Sequence, residues 1–185
     1  SEIEKVKKEV EENSREAKRI VDEHKRLVEE NSKEMEKLLK EAEDTIRKLL
    51  KEIKELKDRG LPKEELAREI RDILRRVEEK LRDIERRLDE SNERLRRHSE
   101  KVKRDLDRSN EELEKRVREL EKRITDERMR EKLRRALEEN RRTSERLKRK
   151  LDDIDRDNER TSREVKEKLK RILEELKRTL EEVER

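Results

Sequence analysis

The only glycine and the only proline of this 185-residue chain, Gly60 and Pro62, stand two positions apart. These are the residues that most readily interrupt a helix, so the rest of the chain offers almost nowhere to turn. On either side of this break, apolar residues recur at spacings of three and four. One stripe runs from Ile3, Val6 and Val10 to Leu56, a second from Leu66 and Ile70 to Ile124, and a third from Met129 and Leu133 to Val183. That spacing keeps one side chain in each turn on a single face, the period of a helix that buries one stripe.

Charged residues make up 62% of the chain and hydrophobic residues 26%, with no Phe, Tyr, Trp or Cys. Such a balance ordinarily implies disorder, but helical periodicity throughout an Ala/Glu/Lys/Leu/Arg-rich sequence implies long helices instead. The 59 basic and 55 acidic residues interleave along the chain. No basic stripe is left to track a phosphate backbone and no aromatic ring to stack on a base, which argues against nucleic-acid binding. No apolar run reaches the length of a membrane span, and no signal peptide is legible, so no membrane association or compartment is assigned. Without cysteine there is no disulfide or thiol chemistry.

The sequence predicts an all-α fold: a single long, nearly straight, antiparallel three-helix bundle, up-down-up, over residues 1–185. Helix 1 is expected over about 2–59, a loop at 60–62, helix 2 over about 63–123, a loop at 124–126 and helix 3 over about 127–184. Ser1 and Glu4 have the spacing of a capping box. Gly60 suits a left-handed helix terminus and Pro62 the first turn of the next helix. Thr125 or Asp126 can cap the third helix. Short loops make sequential helices antiparallel.

Each helix carries an 18-residue repeat. EENSREAKRIVDEHKRLV (11–28) precedes EENSKEMEKLLKEAEDTI (29–46), LDESNERLRRHSEKVKRD (88–105) precedes LDRSNEELEKRVRELEKR (106–123), and ALEENRRTSERLKRKLDD (136–153) precedes IDRDNERTSREVKEKLKR (154–171). Eighteen residues are five turns of an undistorted α-helix, so the repeat demands no supercoil.

The repeat also sets polar residues in the apolar arc. At 100° per residue, Asn13, His24 and Asn31 fall inside the arc of helix 1, and Asn140 and Asn158 at the centre of helix 3. Ser91, Asn92, Ser109 and Asn110 straddle the centre of helix 2, as Thr143, Ser144, Thr161 and Ser162 do in helix 3. The residue numbers of Asn13 and Ser109, of Asn31 and Ser91, and of His24 and His98 share one sum, 122, as antiparallel register requires. Asn140 and Asn158 lie 127 positions beyond Asn13 and Asn31, as parallel register requires. Two polar layers follow: Asn13, Ser109, Asn110 and Asn140 in one, Asn31, Ser91, Asn92 and Asn158 in the other. An unpaired buried amide costs ~1–3 kcal/mol, so these layers penalise any slip in register. A ligand site between the helices would need a cavity and converging groups.

His24 is expected to be neutral and bonded to Ser99 or a neighbour, with Leu151 opposite on helix 3 and His98 at the edge of its own stripe. A zinc site would need cysteines or inward carboxylates beside the two histidines. Every Asp and Glu reads as lying on a solvated face, so neither a metal site nor a catalytic relay is expected. No cofactor is expected and no partner is required.

The EENS/EENS, DESN/DRSN and ENRRTS/DNERTS repeats, the Lys/Arg/Glu surface and the Gly60–Pro62 loop resemble de novo, parametrically designed helical bundles with buried hydrogen-bond networks. That resemblance implies a very stable, monomeric structural scaffold without a natural substrate. The alternative is a coiled-coil interaction module, either a self-associating subunit or a natural adaptor. Spectrin-like triple helices are the natural comparison, but their aromatic core markers are missing.

Overall fold

A computed structural model describes residues 1–185. Three helices account for nearly all of them: α1 (Glu2–Asp58), α2 (Lys63–Arg123) and α3 (Glu127–Glu184). There are no strands, and the three helices pack on one another through their apolar stripes.

Each terminus follows from local chemistry. The Glu4 amide donates to Ser1 Oγ at 3.4 Å, a long cap on the first turn. α1 ends in a Schellman motif: Gly60 N–H donates to the Lys57 carbonyl (3.0 Å) and Leu61 N–H to the Leu56 carbonyl (3.3 Å), with Gly60 at φ +78°. Leu56 and Leu61 both pack against the same apolar cluster, supplying the hydrophobic contact that accompanies this motif. Pro62 stands at the cap of α2 and not within its first turn, because its carbonyl accepts the first helical bond, from Leu66 (2.9 Å). At the second loop Asp126 is the cap, its Oδ1 accepting from Arg128 N–H at 3.0 Å. Arg130 Nε donates to the Ile124 carbonyl across that loop (2.7 Å), covering an acceptor that a loop without glycine leaves open.

The chain divides into two compact units, and each helix contributes to both. Unit 1 comprises Ser1–Glu29 and Arg94–Asp157; unit 2 comprises Glu30–Glu93 and Asn158–Arg185.

Unit 2 holds the largest apolar cluster. Met35, Ile53, Ile84, Leu88, Leu169 and Leu176 are among its almost fully buried members. Burying one such side chain stabilises by about 1.5–3 kcal/mol. In this unit α2 and α3 run antiparallel, as the Lys166–Asp89 and Lys177–Glu78 ion pairs require. Lys57 Nζ donates to the Val183 carbonyl (2.6 Å), setting a cation on the exposed carbonyls at the end of α3.

Unit 1 holds two smaller clusters, Val6, Val10, Leu113, Val117, Leu120, Leu133 and Leu137 in one and Ala17, Val21, Val102, Leu106, Leu147 and Leu151 in the other. Between them lies a polar layer, so the apolar stripe is interrupted where the sequence sets asparagines. Most surface ion pairs join Arg or Lys to Asp or Glu three or four residues away on the same helix, as with Arg76–Asp72 and Arg135–Glu131. Each contributes only a few tenths of a kcal/mol, so they add little to holding the helices together.

Candidate functional site: three buried polar layers

Two of the layers are asparagine triangles. In unit 1, Asn13 Nδ2 donates to Asn110 Oδ1 (3.2 Å) and to Asn140 Oδ1 (3.0 Å). Asn140 Nδ2 donates to Asn110 Oδ1 (2.8 Å), and Asn110 Nδ2 to Ser144 Oγ (2.7 Å). In unit 2, Asn31 Nδ2 donates to Asn92 Oδ1 (3.2 Å) and Asn158 Oδ1 (3.0 Å). Asn158 Nδ2 donates to Asn92 Oδ1 (3.1 Å), and Asn92 Nδ2 to Ser162 Oγ (2.7 Å). Advancing α1 and α3 by 18 residues and moving α2 back by 18 converts one set of bonds into the other. An amide carries two donors and two lone pairs, so three amides from three helices can close a ring in which each engages the other two.

The serines differ between the triangles. Ser91 donates to Asn31 Oδ1, whereas Ser109, expected in the first layer, is exposed. Asn110 takes its place against Asn13. A cleft of about 260 Å³, lined by Asn13, Ser109, Glu12 and Glu16, opens on that side and gives Ser109 a route to water. Ser144 and Ser162 are buried, and Thr143 and Thr161 are half-buried at the edge of α3.

The third layer belongs to unit 1 and departs from expectation. His24 is fully buried. Its Nε2 lies 2.7 Å from Asp155 Oδ1 and its Nδ1 lies 2.9 Å from His98 Nδ1. Ser99 is buried as expected, but its hydroxyl donates to Asp155 Oδ2 (2.5 Å) and not to His24. The expectation that every carboxylate faces solvent therefore fails at Asp155, whose side chain is only 27% exposed. Asp155 lies one turn beyond Leu151, the residue that the 127-residue offset sets opposite His24. Side chains lean over the preceding turn of their helix, so Asp155 covers the level of Leu151. Pairing by residue number compares backbone levels and misses that reach.

The tautomers follow from donor counting. A carboxylate only accepts, so His24 Nε2 carries hydrogen. In the neutral pair, His24 Nδ1 is then a bare acceptor, and His98 Nδ1–H donates to it. The rings are 9° from parallel with centroids 5.2 Å apart. That exceeds the nitrogen–nitrogen distance by about one ring diameter, so the rings meet edge to edge, not face to face. His98 is half-buried, and its hydrogen bond engages Nδ1 and leaves Nε2 unbonded. Burial holds the His98 imidazole below its ordinary pKa, helped by the adjacent His24 and by Lys101, and opposed by Glu23 and Asp105.

All polar atoms of His24 and Asp155 are engaged with one another or with Ser99 and His98. No group of three or more His, Cys, Asp or Glu side chains is arranged to hold a metal ion, and no helix is long and apolar enough to cross a membrane. No protein-family model matches the chain, and no curated protein does. A solved structure titled "Computationally designed three helix bundle" is similar at 21% identity, over 99% of this chain and 84% of that one, with a TM-score of 0.44.

Proposed function

We propose that the chain is a designed structural scaffold with no natural biochemical activity, monomeric, whose core specificity is set by the buried Asn, Ser, Thr and His layers. The observation that carries this reading is the bond-for-bond repetition of the two asparagine triangles at an 18-residue interval. A binding or catalytic site concentrates unusual groups once; a device for fixing register gains from repetition. Any one-turn slip would leave several amides facing apolar carbon, each at a cost of about 1–3 kcal/mol. A single buried polar residue is the best-attested means of fixing helix register and assembly state. Met129 is the one large apolar side chain that is exposed, at 43%, which leaves little apolar surface for a partner.

Light scattering coupled to size exclusion tests the assembly state: a mass near 22.9 kDa is expected, and two or three times that value would favour the self-associating reading. Replacing Asn13, Asn110 and Asn140 together by Leu tests the role of the layer. The variant is expected to remain helical and at least as stable, but to populate additional assemblies. A monodisperse monomer with one set of methyl resonances would remove register-setting as the purpose of that triangle.

A further inference from the structure

We infer that His98 Nε2 is a nucleophile toward activated carboxylic esters, primed by a buried His24–Asp155 relay. This reactivity is independent of the scaffold reading and is latent in one layer of unit 1. Asp155 fixes hydrogen on His24 Nε2 (2.7 Å), which leaves His24 Nδ1 to accept from His98 Nδ1 (2.9 Å). His98 is thereby held with its hydrogen inward and its Nε2 lone pair outward. Ser99 restrains the other carboxylate oxygen, so the anchor cannot rotate away. A surface histidine without such partners divides its population between two tautomers and loses more to protonation; here orientation and tautomer are set in advance.

The reaction balances with water as the only co-reactant. His98 Nε2 adds to the acyl carbon of an aryl ester, the C–N bond forms, and the C–O bond breaks to release the aryloxide. The hydrogen on His98 Nδ1 passes to His24 Nδ1, giving an imidazolium paired with Asp155 and a neutral acyl-imidazole on His98. Water adds to the acyl carbon and the C–N bond breaks: one water hydrogen stays with the acid, the other neutralises the released aryloxide, and His24 returns its proton to His98 Nδ1. The products are a carboxylic acid and a phenol. The groups facing His98 are Glu23 and His24 from α1, Lys101 and Asp105 from α2, and Asp155 from α3 through His24.

Hydrolysis of p-nitrophenyl acetate by the full chain, with nitrogen-15 imidazole shifts recorded on the same sample, tests this. The wild type is expected to turn over more than once per chain, with a rate that rises with pH below neutrality and levels off. Surface lysines acylate once and stop, which separates them from His98. His98→Gln should reduce turnover to the lysine background. Asp155→Asn removes the charge that pairs with the His24 imidazolium and, with Ser99 O–H still holding the amide oxygen, presents an amide N–H to His24 Nε2, which moves hydrogen to His24 Nδ1 and to His98 Nε2. It should lower the rate by about a hundredfold or more, the lower end of proton-transfer assistance by a positioned side chain, as a wrong tautomer does in a hydrolase relay, and invert the His98 nitrogen shifts. If Asp155→Asn is not folded by circular dichroism, the wild-type shifts and the His98→Gln rate decide. A wild-type His98 with hydrogen on Nε2, turnover that survives His98→Gln, or a folded Asp155→Asn as fast as wild type would each overturn the inference.

Discussion

His24 Nε2 meets Asp155 Oδ1 at 2.7 Å in the interior of unit 1, and Ser99 holds the other oxygen of the same carboxylate at 2.5 Å. Asp155 is the shared acceptor of the layer, so its removal strands two donors at once. Asp155→Ala should destabilise by ~2–5 kcal/mol, the range for breaking a buried, hydrogen-bonded pair. Replacing His24, His98 and Asp155 by Leu and Ser99 by Ala together should recover most of that loss, because every member of the layer is then removed and no donor is left unsatisfied. Urea titration of both variants checks this. A single variant as stable as wild type would mean that water satisfies His24 and Ser99 when Asp155 is gone.

The asparagine triangle of unit 1 discriminates between a carboxylate and an amide of the same shape. Asn140 donates to Asn110 Oδ1 and accepts from Asn13. Asn140→Asp removes the donor and turns a carboxylate oxygen toward Asn110 Oδ1 in a buried position. It should cost ~2–4 kcal/mol, against about 0.5 kcal/mol or less for the exposed control Lys18→Glu. Asn140→Leu should be nearly neutral, since Asn13 keeps Asn110 and Asn110 keeps Ser144. Equal denaturation midpoints for Asn140→Asp and the lysine control would count against a buried role for Asn140.

Stability should fall as pH drops below about 6.5, the ordinary imidazole value. The folded state holds His98 below that value, chiefly by burial, so between the two pKa values the unfolded chain binds more protons and acid favours unfolding. The loss begins near 6.5 and levels off once pH passes the lowered folded value. Denaturation at pH 8, 6.5 and 5 should show this slope for wild type and a shallower one for His98→Gln. A flat wild-type profile is the contrary result.

Gly60 has φ +78° and open space where a Cβ would stand. Gly60→Ala therefore meets no clash, and its cost is the left-handed backbone alone, about 1 kcal/mol. Thermal or chemical melting of that variant beside Arg59→Ala separates the backbone effect from a change in loop composition.

Long helices with local contacts and strong helix formers should carry the midpoint of thermal unfolding beyond about 90 °C. Scanning calorimetry checks this, and a transition in the mesophilic range near 45–65 °C would show that the polar layers cost more than the apolar clusters return.

Features that depend on local chemistry and on period can be read from the residues alone. Gly60 and Asp126 punctuate the chain because a left-handed terminus and an N-cap are properties of those residues. The three stripes and the asparagine triangles were legible because a 3.6-residue period fixes each residue's angle, and a repeat of five whole turns returns every polar residue to the same angle. The edges of the stripes are settled by packing between helices. Ser109 and Ser91 share an angle, yet one is exposed and the other bonds Asn31, because a cleft opens beside the first. Asp155 reads as a surface carboxylate, yet it turns inward because His24 and Ser99 offer donors from two other helices. An edge residue can face water or core at little backbone cost, and the choice is made by side chains that are distant in sequence.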